Sequence, residues 1–344
     1  MNTPTNPPTP SPASPDKTPA GSIITLDEVR DAAATVGERI HRTPVLTCRT
    51  LDLMSGRELY LKCENFQKGG SFKIRGASNA IWKLPEDQAR RGVVTHSSGN
   101  HAQALSIAAR QRSIPAYIVM PSNAPRVKRA AAESHGSNIQ TCEPTQAARE
   151  AAAAELLAET GGVLIPSYDH PHIVAGQGTI ALELIEQVEH LDAIIAPVGG
   201  GGMLAGVALA AKALNPNLRI FGAEPVGADD AARSLACGER ITEQQPQTIA
   251  DGLKMTLGIH TWPPIREHVD AIFTVTDQQI IDAMQLIWQR VKIIVEPSAS
   301  VGVAAAMSDA LAEYDDVKRI AVVLSGGNVD LDRLPWIAAD TAGL

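Results

Sequence analysis

From Arg91 onward the chain alternates between two hydrophobic patterns. Short apolar runs rich in β-branched residues come first: Val93-Val94-Thr95, Ala116-Tyr117-Ile118-Val119-Met120, Val163-Leu164-Ile165, Ala193-Ile194-Ile195-Ala196-Pro197-Val198, Arg219-Ile220-Phe221-Gly222-Ala223 and Ile320-Ala321-Val322-Val323-Leu324. Their length and composition predict strands. Between most of them lie alanine-rich amphipathic stretches, such as 146–160 and 204–214, whose spacing predicts helices. Strands alternating with helices predict βαβ units, and runs apolar throughout predict parallel sheet covered on both faces. Upstream, Thr25 and Glu28 form a T-x-x-E capping box, followed at helical spacing by Leu26, Val29, Ala33, Val36 and Ile40. The first 22 residues contain seven prolines and no Leu, Ile, Val or Phe. Such a segment cannot offset its ordering entropy by burial and is expected to be a disordered tail; it resembles neither a secretion signal nor a transit peptide. No internal repeat is visible.

Length and composition narrow the picture. A chain of 344 residues is past the size at which one core stays efficient, so two subdomains are expected. Only 3% of residues are aromatic and the net charge is −8, which argues against a nucleic-acid partner and suits a soluble cytoplasmic protein. Cys48, Cys63, Cys142 and Cys237 stand far apart with no CxxC pair, so reduced thiols are expected rather than disulfides or a structural zinc. No apolar run is long enough to span a bilayer.

In parallel sheets ligands bind beyond the carboxyl ends of the strands, and four segments there could carry chemistry. Lys73, within Gly69-Gly70-Ser71-Phe72-Lys73-Ile74-Arg75-Gly76, lies between two apolar residues. A desolvated amine there is a nucleophile toward a carbonyl; the other reading is a surface lysine at the start of a helix capped by Ser71. Thr95-His96-Ser97-Ser98-Gly99-Asn100-His101 places hydroxyl and amide donors at a helix N-terminus, or is an ordinary capping turn with His101 an interior histidine. Gly199-Gly200-Gly201-Gly202-Met203 follows a strand and opens a helix, an arrangement that converges N–H groups on an anion. Gly200-x-Gly202-x-x-Ala205, with Glu224 ending the next strand, also fits a dinucleotide fingerprint. Leu324-Ser325-Gly326-Gly327-Asn328 either aims a hydroxyl at a ring nitrogen or is a simple turn. Taken together, the segments suggest one cofactor carrying a carbonyl for Lys73 and a phosphate for the glycines, which describes pyridoxal phosphate.

With these motifs the chain resembles the fold-type-II pyridoxal-phosphate family of serine and threonine dehydratases, and within it the eukaryotic-type serine racemases. The resemblance runs from about Thr25 to Asp330 and rests on SFKIRGA around Lys73, THSSGNH at 95–101, AGQGTIALE at 175–183, PVGGGGMLAG at 197–206, AEPVGADD at 223–230, IADG at 249–252 and LSGGNVDL at 324–331. It implies an α/β, tryptophan synthase β-like architecture of two domains with parallel-rich sheets. A small domain at 92–168 would be inserted into a larger cofactor domain formed by 23–91 and 169–344, with the site in the cleft between them. Because the chain ends soon after Ser325, no regulatory domain of the kind found in longer threonine dehydratases is expected.

The resemblance also implies roles. Lys73 would bind the cofactor covalently and then act as base on the substrate Cα proton. Gly199, Gly200, Gly201 and Gly202, with the Met203 N–H, would cradle the phosphate; Asn100 would bond the ring hydroxyl and Ser325 would face the pyridine nitrogen. A serine there cannot protonate the ring as an aspartate does, which tempers carbanion stabilisation and favours β-elimination. Ser97, Ser98, Asn100 and Arg149 would hold the amino-acid substrate. Racemisation needs a second acid/base group on the face opposite Lys73, and Ser98 stands where threonine dehydratases usually carry alanine. Glu224, the Ala228 carbonyl and Asp230 match a divalent-cation site suited to Mg²⁺ or Ca²⁺. Two departures, Met255 and the segment 165–171, leave the preferred substrate open. The expected function is a dehydratase converting a β-hydroxy amino acid such as L-serine to a 2-oxo acid and ammonia, with serine racemisation, in a cytoplasmic homodimer. The alternatives are a threonine or threo-3-hydroxyaspartate dehydratase without racemase activity, or a non-catalytic cofactor- or dinucleotide-binding sensor.

Overall fold

The apolar runs assemble into two sheets. In a computed structural model describing residues 24–97, 99–124 and 126–337, ten strands are assigned. They are β1 (Val45–Thr47), β2 (Glu58–Cys63), β3 (Val93–His96), β4 (Ala116–Pro121), β5 (Asn138–Cys142), β6 (Val163–Leu164), β7 (Ala193–Pro197), β8 (Arg219–Pro225), β9 (Ala271–Val275) and β10 (Arg319–Leu324). The larger sheet has the order β1-β2-β10-β7-β8-β9 and the smaller β5-β4-β3-β6. Every neighbouring pair is parallel except β1 and β2, which run antiparallel with Leu46 opposite Leu61. The smaller sheet comes from one stretch of chain, 93–164, lying between two strands of the larger. The proline-rich tail lies outside the described residues.

Helices cover both faces, as apolar strands require. On one face of the larger sheet, helices Pro171–Gln187 and Gly202–Leu214 bury Val174, Ile180, Leu204 and Val207 against Ile194 and Ile220. Helix Pro297–Ala306 fills the other face with Val301 and Val303 against Ile195 and Val322. Helices Lys73–Trp82 and Asn100–Arg112 share a third cluster with Val93 and Ile118 of the smaller sheet, and helix Gln146–Thr160 packs on its other face. The capping box forms as expected: Thr25 caps helix Leu26–Val36, its backbone N–H donating to Glu28 Oε2 at 2.7 Å.

Four strands go beyond the sequence pattern. β1, β5 and β9 lie at sheet edges, where partial exposure dilutes the apolar run; β5 is Asn-Ile-Gln-Thr-Cys and none of its residues is fully buried. β2 contains Lys62, which is wholly buried, a position the pattern would assign to an apolar residue. Among the described residues no helix is long and apolar enough to cross a membrane.

Candidate active site

The carboxyl ends of β3, β7 and β10 converge on a cavity of about 380 Å³. Its lining includes Lys73, Ser97, Asn100, Arg149, the four glycines 199–202, Met203 and Ser325. These are sequence-nominated residues from five separate stretches of chain. Ser98 lies outside the described residues.

Lys73 is the first residue of helix Lys73–Trp82, and Phe72, at the cap, makes no side-chain capping bond. Ser71 is buried with its Oγ unpartnered, so the capped surface lysine is not what forms. The amine is buried and donates to Ser167 O at 2.8 Å. Burial pushes its pKa down to about 8, against the opposing pull of the Glu296 carboxylate. The Phe72 N–H donates to Ser325 O at 3.1 Å, tying the start of this helix to the end of β10.

The glycine quartet is shaped by close approach. Gly201 caps helix Gly202–Leu214 with φ +87°, a left-handed conformation that side chains resist. A Cβ on Gly200 would meet the Tyr168 ring at 2.4 Å, and one on Gly199 would meet Leu253 Cα at 2.8 Å. What remains at the helix N-terminus is backbone, whose N–H groups and dipole favour an anion. The dinucleotide reading loses its acidic partner, because Glu224 is fully buried, does not line the cavity and accepts from Ala232 N–H at 2.8 Å.

Asn100 is held on two sides. Its Nδ2 donates to Glu296 Oε1 at 2.7 Å, and its Oδ1 accepts from Asn328 Nδ2 at 3.0 Å. Ser325 is 3% exposed, and the neighbouring Gly326 is required by Glu296, whose Oε1 would lie 2.5 Å from a Cβ there. Arg149 and His96 line the smaller sheet's side of the cavity; Arg149 Nε is buried without a partner, and burial lowers the His96 pKa. His101 is interior: its Nε2 pairs with Ile165 O at 3.1 Å and burial drives its pKa to about 3, so it stays neutral. Met255 also lines the cavity.

Away from the cavity, Glu224 and Asp230 are buried together, with Glu224 Oε2 and Asp230 Oδ1 unpartnered. Burial raises the Glu224 pKa to about 8 and that of Asp230 to about 6. Two orphaned carboxylate oxygens in one buried place fit a hard cation. No group of three or more His, Cys, Asp or Glu side chains among the described residues is placed to hold a metal, so the Ala228 carbonyl and water would have to complete this set.

Sequence reasoning missed Glu296 and Tyr168. Glu296 had a signal: a lone acid ending the apolar run Ile293-Ile294-Val295, one residue before the proline that starts a buried helix. Tyr168 falls in the segment 165–171 already noted as a departure, but its place over Gly200 had no signal, because it is set by the return of the chain from the smaller sheet.

The family model described as pyridoxal-phosphate dependent enzyme matches residues 36–326. A serine racemase of Dictyostelium discoideum is 48% identical over 92% of this chain and 98% of its own. A beta-hydroxyaspartate dehydratase of Paracoccus denitrificans is 46% identical over 91% and 99%. The structure of maize serine racemase superposes with a TM-score of 0.89 at 47% identity, covering 90% of this chain and 95% of that one.

Proposed function

Since this chain belongs to the family of pyridoxal-phosphate dependent enzymes, we propose that it is a dehydratase of a small β-hydroxy amino acid such as L-serine, yielding a 2-oxo acid and ammonia, with serine racemisation as a companion activity. The observation that carries the proposal is the pairing, in one cavity, of a desolvated lysine with a side-chain-free anion cradle. The high identity to proteins named serine racemase supports the substrate class.

Bound in this cavity, pyridoxal phosphate supplies an aldehyde for the lysine and an electron-accepting ring that acidifies the substrate Cα–H. The residues do the rest. Lys73, with its pKa near 8, has a substantial neutral fraction at physiological pH and takes the Cα proton. The glycine N–H groups and that of Met203 would hold the phosphate, and Asn100, fixed between Glu296 and Asn328, would offer its amide to the ring hydroxyl. Ser325 gives the ring nitrogen a hydroxyl rather than a carboxylate, which favours loss of the β-hydroxyl. Ser97 and Arg149 would bind the substrate, and the two-face reading assigns the second proton transfer of racemisation to Ser98. Ser98→Ala is therefore expected to suppress racemisation and largely spare elimination; equal loss of both contradicts the two-face assignment.

A second reading, a 3-hydroxyaspartate dehydratase, is favoured by the unpartnered Arg149 Nε beside His96, which suits a second substrate carboxylate. Incubation with L-serine, L-threonine and 3-hydroxyaspartate, with chiral assay of amino acid and assay of 2-oxo acid, separates these readings. Absence of a borohydride-bleachable absorbance band from cofactor-saturated protein overturns them all. The proposal also takes in the division at 92–168, a Mg²⁺ or Ca²⁺ on Glu224, the Ala228 carbonyl and Asp230, and a cytoplasmic homodimer. Calcium titration followed by thermal denaturation, and sedimentation, test the cation and the dimer.

A further inference from the structure

The loop 257–261 does not line the cavity, yet the backbone N–H groups of 257–260 are all committed nearby. Leu257 N–H donates to Asp230 Oδ2 at 3.0 Å and Gly258 N–H to Thr261 Oγ1 at 2.8 Å. Ile259 N–H and His260 N–H take the two oxygens of Asp169 at 2.9 and 2.7 Å. Three of these N–H groups thus anchor the loop to Asp230 and Asp169, while that of Gly258 stays within it and also approaches Gly200 O at 3.4 Å; the next residue, Thr261, is wholly buried. Thr261 sits where a threonine commonly caps a helix, at the start of Trp262–His268, but makes no side-chain capping bond. Its hydroxyl accepts from Gly258 and donates its one proton to Gly200 O at 2.8 Å; the rival acceptor, Gly258 O, is 3.4 Å away.

Gly200 O belongs to the Gly200–Gly201 peptide, and in a trans peptide the C=O and N–H point in opposite directions. Glycines on both sides leave that peptide free to flip, because neither residue restricts its backbone angles. Anchoring the carbonyl on Thr261, behind the quartet, turns the Gly201 N–H the other way. The hydroxyl also fills the space behind Gly201, where a Cβ would meet it at 2.8 Å.

Resting on the reading of this cavity as a pyridoxal-phosphate site, we infer that Thr261 is a positioning residue for phosphate recognition: its hydroxyl locks the Gly200–Gly201 peptide with the N–H directed at the anion. Thr261 does not line the cavity and acts through the Gly200 carbonyl, where its 2.8 Å bond is shorter than the 3.4 Å approach of Gly258 N–H.

The test compares two probes, pyridoxal 5′-phosphate and pyridoxal, which share the aldehyde and ring but differ in the phosphate. Both are titrated by absorbance into cofactor-free wild-type protein, Thr261→Val and Thr261→Ser. Loss of a buried hydrogen bond that fixes a donor is expected to weaken pyridoxal 5′-phosphate by about tenfold or more in Thr261→Val. Pyridoxal binding stays unchanged, and Thr261→Ser restores the preference for phosphate. A general packing defect would instead weaken both probes alike, and that result, or an unchanged preference, overturns the inference. Should valine lower the folded fraction, Thr261→Ala is read in the same two titrations with the same criteria. Wild-type protein with no preference for the phosphorylated probe overturns the reading of the cavity itself, and this inference with it.

Discussion

Lys73 owes its reactivity to its surroundings. A lysine in water is almost wholly protonated at neutral pH; burial alone disfavours the ammonium, while Glu296 limits how far the amine is deprotonated. Capture of pyridoxal phosphate by cofactor-free protein needs the neutral amine, so its rate is expected to rise with pH and level off above about 8. An ordinary lysine would still be gaining through about 10. Replacing Glu296 with Gln keeps an acceptor for Asn100 but removes the negative charge that favours the ammonium. The midpoint is then expected to move below 8, and a stopped-flow pH series on both proteins measures it. At Gly201 the constraint is conformational: alanine at φ +87°, with its Cβ 2.8 Å from Ile265, Leu257 and Thr261 atoms, is expected to cost at least about 1–2 kcal/mol and to weaken cofactor binding. Urea unfolding and absorbance titration check the two effects. The importance of Lys73 and of the glycines was legible in the sequence, since a lysine between apolar residues and a run of glycines after a strand are local signals. The pKa of Lys73 was not, because it is set by burial in the assembled cavity and by Glu296, which is distant along the chain.

Helix Lys73–Trp82 carries two kinds of chemistry on two faces. Lys73 points into the cavity; two residues on, Arg75 is wholly buried and grips two carboxylates. Its Nε donates to Glu64 Oε2 at 2.7 Å and its Nη1 to Glu183 Oε1 at 2.7 Å, while the buried Lys62 of β2 donates to Glu183 Oε2 at 2.5 Å. The network ties the helix to β2 and to helix Pro171–Gln187, fixing where Lys73 begins. Removing one member of a buried set leaves charges unpaired, so Arg75→Ala is expected to destabilise the protein by about 3–5 kcal/mol, read by urea unfolding. Helices Gln146–Thr160 and Gly202–Leu214 and the strands β3, β4, β7, β8 and β10 all follow the hydrophobic pattern. β2 escaped it because its buried Lys62 is satisfied by a helix more than a hundred residues away; a charge inside a core strand is unreadable until its partner is known.

Across the protein, the cavity is walled by both sheets' strand ends, with Ser97 and Asn100 after β3, the glycines after β7 and Ser325 after β10. A ligand there binds only when both parts are folded and together, so the cofactor should stabilise the whole. Stripping it is expected to lower stability by about 2.7 kcal/mol relative to protein held at a hundredfold excess over its Kd, with restoration on adding it back. Differential scanning calorimetry of the two forms measures this. The alternation of strand and helix, the parallel sheets and the segments beyond the strand ends were all readable from the chain, because they depend on periodicity and on backbone demands within a few residues. The tertiary structure alone decided which of those segments share one cavity, that Glu296 meets Asn100 from 196 positions away, that Tyr168 covers Gly200, and that Thr261 holds the Gly200 carbonyl. A polar side chain carries no mark in the sequence of the partner it will find, since that partner is chosen by the packing of elements far apart along the chain.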